Sequence, residues 1–152
     1  MVSVILLIGF IIFVLDRVIK EVVIKSMSLG QSIPLIKNVF HLTFVQNIGA
    51  GFSLFSGWRW FIVLVSVGVL FAIYYYWDKI PKLNYVRVSI GLVIGGTLGN
   101  LYDRIVFGHV IDYLDFRFWP VFNLADTALV IAAILLGIYF WREESLNIRN
   151  HK

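Results

Sequence analysis

Four aspartates, Asp16, Asp103, Asp112 and Asp126, fall at or between the ends of long apolar segments of this chain. A carboxylate that is desolvated and unpaired beside hydrocarbon is costly, so four at one depth require a reason. Two of them have a candidate neutralising partner close in sequence. Asp16 and Lys20 are spaced i, i+4, and Asp103 is followed by Arg104, so both acids read as members of structural ion pairs. Asp112 and Asp126 have no basic residue within a helical turn, since Arg117 lies five positions beyond Asp112. Two carboxyls brought together cannot both ionise, and such a pair shares a proton, titrates as a unit and can activate water against an amide. Asn100, Asp103 and Arg104 share one helical face and Asn123 and Asp126 another, so amide groups accompany the acids. Asp126 also lies near the start of a helix, where the dipole favours negative charge. Asp115 reads as a solvated loop acid.

Other chemistries are poorly supplied. There is no cysteine, which removes disulfides, thiolate metal sites and a cysteine nucleophile. His41, His109 and His151 are scattered without ligand spacing, so neither a metal site nor a cofactor is expected. Serines 53, 56, 66 and 89 lack a nucleophile-elbow motif. Gly95, Gly96 and Gly99 lie inside an apolar run and read as close helix packing, not a phosphate loop. The net charge of +4 is spread without a basic run, which argues against nucleic acid and suits contact with membrane lipids.

The elements that must position these residues are membrane helices. The chain is 60% hydrophobic and 14% charged, far from the balance of soluble domains. A bilayer-crossing helix takes about 20 mostly apolar residues. Four segments meet that requirement: 2–24, 58–77, 86–102 and 122–141. Trp58, Trp60, Trp77, Trp119 and Trp141 mark their ends, as interfacial aromatics do. The opening MVSVILLIGF has no basic region, so the first segment is expected to stay as a span and not to be a cleaved leader. Between the first two spans, Val39 to Gln46 alternates apolar and polar residues with the period of a strand. Residues 30–57 are therefore expected to form a small sheet on the bilayer surface, too short to fold alone. The loop at 78–85 and the tail from Arg142 are polar. The whole is expected to be one mainly α domain, acting as a monomer.

The boxes that carry these residues resemble the lipoprotein signal peptidases, the type II signal peptidases. "DRVIK" at 16–20, "VQNIGAGFS" at 45–53, "GGTLGNLYDRIVFGHVIDYLDF" at 95–116 and "FNLADTALV" at 122–130 match that family's boxes in order. The resemblance implies a four-span aspartic endopeptidase of the bacterial cytoplasmic membrane, with a small extracytoplasmic sheet and its active site at the extracytoplasmic face. Its substrate would be a diacylglyceryl-modified prolipoprotein, cut just before the lipidated cysteine. By motif, Asp112 and Asp126 would be the catalytic dyad, Asn47, Asn100, Asp103, Arg104 and Asn123 would support dyad and substrate, and Asp16 and Lys20 would be structural. Two departures stand out: Gly51 replaces a more usual Ala, and only 13 residues separate Asp112 from Asp126.

A small proton- or cation-conducting transporter subunit is the rival reading. It requires acids through the depth of the bilayer, whereas here the middles of the spans carry none. Discounting Arg17, Lys20 and Arg104 as ion-paired, six basic residues lie on the side of the termini and four opposite, which places the termini in the cytoplasm. Cysteines introduced singly in this Cys-free chain test that topology. Ser32→Cys is expected to react with an impermeant thiol reagent from outside the cell, and Ser145→Cys is not. Labelling at 145 alone would invert the orientation.

Overall fold

The computed structural model describes residues 2–49 and 58–150. Within them run α1 (Val2–Ser26), β1 (Ser32–Ile36), β2 (Phe40–Asn47), α2 (Arg59–Tyr75), α3 (Asn84–Val106), β3 (Val110–Asp115) and α4 (Leu124–Asn150). The mainly helical architecture with a small sheet agrees with the sequence reading. Residues 50–57, with Gly51, Ser53, Ser56 and the last part of the expected sheet segment, lie outside the described residues.

Helix α3 is the centre of the bundle, packing on α1 along one side and α4 along another, with α2 beside it. Its glycines explain how it serves two neighbours at once. A Cβ on Gly95 would lie 2.6 Å from the Gly9 carbonyl oxygen of α1, and one on Gly96 would lie 2.6 Å from the Ala125 carbonyl oxygen of α4. Backbone therefore meets backbone on two faces of the same turn, the small-residue packing used where lipid supplies no hydrophobic drive between helices. Helix α2 has no buried residue and turns Leu64, Phe71 and Tyr74 outward. By length and composition, Leu124–Leu146 of α4 can cross a bilayer unaided, with a mean hydropathy of 2.0, and α2 is apolar over a shorter 17 residues. α1 and α3 carry charged side chains at one end, and four of them, Asp16, Lys20, Asp103 and Arg104, are turned into the bundle and buried.

The sheet is antiparallel in the order β1-β2-β3. The first two strands, within the segment expected to form a small sheet, make a hairpin turned through Asn38 at φ 61°. The third strand is a correction. The connection between the last two spans, where Asp115 reads from sequence as a loop acid, contains β3, which pairs with β2 so that Val45 faces Asp112 and Asn47 faces Val110. Phe44, Ile111 and Tyr113 pack on Val23 and Met27 around the end of α1, seating the sheet on the bundle.

Helix boundaries also move. α3 runs on to Val106, so Asp103 and Arg104 are inside the helix and not beyond it. Gly108, at φ 84°, then reverses the chain while its N–H is donated to the Asp103 carbonyl, a glycine-terminated helix end. α4 begins at Leu124 and continues through the polar tail to Asn150, because residues from Arg142 are good helix formers extending an established helix. Enlarging Gly96 is expected to wedge α3 from α4. Gly96→Val should lower stability by about 1–3 kcal/mol or more, as overpacking does, read as a lower midpoint of thermal unfolding in detergent. An unchanged midpoint would mean the helices do not need this approach.

Candidate active site

Helix α4 starts with a reciprocal cap. Asn123 Oδ1 accepts the Asp126 N–H at 2.8 Å, and the Asp126 carboxylate accepts the Asn123 N–H at 3.4 Å. This is a capping box written Asn-x-x-Asp, and it holds Asp126 in the first turn with its side chain folded toward the helix start. Strand β3 brings Asp112 to the same place. Asn123 donates its side-chain N–H to Asp112 Oδ1 at 2.7 Å, and Asn47 of β2 donates to Asp112 Oδ2 at 2.9 Å. Asn100 of α3 donates to Asp126 Oδ1 at 2.7 Å, while its own oxygen accepts from Asn123 at 3.1 Å. Three asparagines from three elements thus hold two carboxylates that no cation neutralises by direct contact among the described residues.

Asp112 is 1% exposed. Burial, reinforced by the neighbouring Asp126 carboxylate, pushes its carboxyl up to about 7. A carboxyl raised this far beside a second carboxylate suits general acid and general base work in one place.

The surroundings are shaped for a chain with apolar groups. A cavity of about 240 Å³ is bounded by Asn47, Arg104, Trp119, Val121, Phe122 and Asp126. An apolar cleft of about 360 Å³ adjoins it, lined by Phe116, Phe118, Trp119, Phe122, Val130 and Ile131 and again reaching Asp126. Asp112 opens on a third recess with Gln46, Ile48 and Pro120. The segment 116–122 therefore lies across the front of both carboxylates.

Comparison with known proteins assigns the chain and its fold to a family. Residues 8–142 match the family model described as signal peptidase (SPase) II, Peptidase A8. The chain belongs to the signal peptidase II family. A lipoprotein signal peptidase of Halothermothrix orenii is 49% identical over 136 residues, covering 90% of this chain and 94% of that protein. One from Nostoc punctiforme is 45% identical over 137 residues, covering 86% and 84%. A solved structure described as a bacterial membrane enzyme, determined by the in meso method at 2.3 Å resolution, superposes with a TM-score of 0.91 at 29% identity, over 95% of this chain and 92% of that one. The chain is accordingly an aspartic protease of the signal peptidase II kind and a bacterial membrane enzyme.

In this signal peptidase the structure gathers Asn47, Asn100, Asp112, Asn123 and Asp126 into one cluster. It sets Asp16, Lys20 and Asp103 behind them as a buried charge group. Asp16 and Lys20 form the expected ion pair at 2.8 Å. The pairing of Asp103 with Arg104 does not exist. Consecutive helical residues point about 100° apart and cannot face each other, and Asp103 instead bonds Arg17 and Lys20 of α1. Arg104 turns the other way, donating to the Gly49 carbonyl at 2.9 Å and the Asn100 carbonyl at 3.2 Å, and lines the cavity beside Asp126. Asp115 is also not a solvated loop acid. It is the last residue of β3, buried, and accepts from Thr43 at 2.7 Å and from the Arg117 N–H at 2.8 Å.

Arg17, counted as ion-paired in the sequence reading without a named acid, is the partner of Asp103, and their 86-residue separation leaves no local trace. The charge group makes a measurable distinction. In double-mutant cycles on thermal unfolding, Arg17→Ala is expected to couple with Asp103→Asn by about 1 kcal/mol or more, as residues of one network do. Arg104→Ala with Asp103→Asn should couple more weakly. The reverse order would restore the pairing that these contacts replace.

Proposed function

We propose that Asp112 and Asp126 are the catalytic dyad of a signal peptidase that cleaves diacylglyceryl-modified prolipoproteins just before the lipidated cysteine, at the extracytoplasmic face of the bacterial cytoplasmic membrane. The observation that carries this reading is the shared amide frame. Each carboxylate has both oxygens held by N–H donors, and both meet at Asn123. Such a frame fixes two acids at a set orientation without neutralising either, which acid–base chemistry on one water requires.

In the proposed cycle Asp126, in the first turn of α4, is the ionised partner that takes a proton from the attacking water. Asp112, whose carboxyl is pushed up to about 7, keeps its proton, polarises the scissile carbonyl and then protonates the leaving amine. The adjoining cleft from Phe116 to Ile131 suits the apolar part of a membrane-embedded substrate. Arg104 faces the cavity with donors fixed by two backbone carbonyls, so it supports the substrate's polar atoms and not the Asp103 charge. Asn47, Asn100 and Asn123 orient the two acids. Termini in the cytoplasm put this site on the side where lipid-modified precursors emerge.

Incubation of the purified protein with a lipidated precursor, followed by mass determination, is expected to give a product beginning at the modified cysteine. Asp112→Asn and Asp126→Asn should each abolish cleavage with unfolding midpoints near wild type, because Asn keeps the shape but exchanges no proton. Turnover by either variant would remove that residue from the dyad. The sign of the pH dependence follows from Asp112 holding its proton below about 7: the turnover rate is expected to fall as pH rises past the dyad's upper titration. A rate that kept climbing several pH units above neutrality would refute a proton-sharing pair.

A further inference from the structure

Lys20 of α1 is fully buried. Its ammonium lies 2.8 Å from Asp16 Oδ2 and 2.9 Å from Asp103 Oδ2, and it donates to Asn100 Oδ1 at 3.1 Å. The ammonium is thus hydrogen-bonded to one amide oxygen and ion-paired with two carboxylates. What those acceptors do next is the informative part. Asp16 Oδ1 accepts the Ala125 N–H at 3.0 Å, so α1 caps the first turn of α4 directly beside Asp126. Asp103 Oδ2 accepts the Ile111 N–H at 3.1 Å, anchoring β3 at the residue before Asp112. Asn100 donates to Asp126 Oδ1 at 2.7 Å. Each arm from the ammonium ends on a segment that carries one of the two acids.

We propose that Lys20 is the positioning residue of the dyad: one buried ammonium ties the strand bearing Asp112 and the helix bearing Asp126 to the same point on α1. The proposal rests on the dyad reading above and adds the device that sets its geometry. A merely neutralising lysine would need one carboxylate. This one has two, from different helices, and each of those carboxylates also accepts a backbone N–H of an acid-bearing segment, Asp103 holding Arg17 with its other oxygen. The socket is also built for it. A Cβ on Gly99 would lie 2.5 Å from Asp16 Oδ2, so only glycine there leaves the carboxylate room to sit between Lys20 and α4.

The charged groups gathered here are Asp16, Arg17 and Glu21 on α1, Asp103 and Arg104 on α3, Asp112 on β3 and Asp126 on α4. The Lys20 charge eases ionisation of Asp112, so its removal makes that carboxyl hold its proton to higher pH.

The test uses the full-length protein purified in lipid and the lipidated precursor, measuring kcat, KM, the pH–kcat profile and the unfolding midpoint. Lys20→Met is expected to lower kcat about 100-fold, the scale of a small misplacement of reacting groups, with KM little changed and the alkaline limb of the profile moved to higher pH. Because Lys20→Met leaves Asp16 unpaired and can impair folding, the double variant Lys20→Met/Asp16→Asn restores charge balance while Asn still accepts the Ala125 N–H. Its unfolding midpoint should recover, whereas kcat and the shifted pH profile should not. Recovery of kcat and of the wild-type profile in the double variant would reduce Lys20 to a counter-ion for Asp16 and overturn the proposal. So would an unchanged kcat and profile in Lys20→Met. Asp112→Asn and Asp126→Asn run alongside separate the two claims, since turnover by either would fail the dyad reading itself.

Discussion

The structure depends on burying ionised groups inside an apolar bundle without leaving any of them alone. Moving a single ion out of water costs several kcal/mol even after relaxation, and breaking a buried pair exposes that cost in full. Lys20, Asp16 and Asp103 are all at 0% exposure, so each is tolerable only while the others stay in place. Arg17 completes the balance from the half-buried side, with its guanidinium over the Tyr102 ring at 4.5 Å. Two cations and two carboxylates from α1 and α3 therefore cancel within one compact group. This interaction dictates the rotation of α1 against α3, because any other rotation would strand a charge in hydrocarbon.

Such a group forms only if the helices come close enough. Lipid tails are as apolar as the side chains, so nothing but packing and polar contacts draws the helices together. The glycines of α3 let backbone meet backbone on the α1 and α4 sides, and side chains of ordinary length then reach across. Packing and electrostatics are here one constraint. Without the close approach Asp16 could not touch the first turn of α4, and without the ion pairs the approach would bring unpaired acids together.

The proposed reaction site inherits its order from this arrangement. Asp126 is held by its own capping box, by Asn100 and by the Asp16 bond to the neighbouring N–H, while Asp112 is held by a strand that is itself pinned at Ile111. Neither acid sits on a free loop. The polar groups are confined to a small asparagine-lined patch at the helix ends, and the adjoining cleft stays apolar.

Composition and periodicity by themselves determined four helical segments, a sheet segment with the Val39–Gln46 strand, and the two acids that no near neighbour neutralises. Those signals are local: apolar length, strand alternation from Val39 to Gln46 and the spacing of Asn123 from Asp126 are readable within a few residues. Strand β3 was not readable, because five of its six residues are buried and no polar face marks its period. The partners of the charged residues were settled by tertiary structure alone. Asp103 meets Arg17 across 86 residues and Asp16 meets the Ala125 N–H across 109, whereas its sequence neighbour Arg104 points away from Asp103 on the helix. A sequence states which charges must be neutralised. Which cation does so depends on where the backbone aims each side chain, and that is set only when the helices have packed.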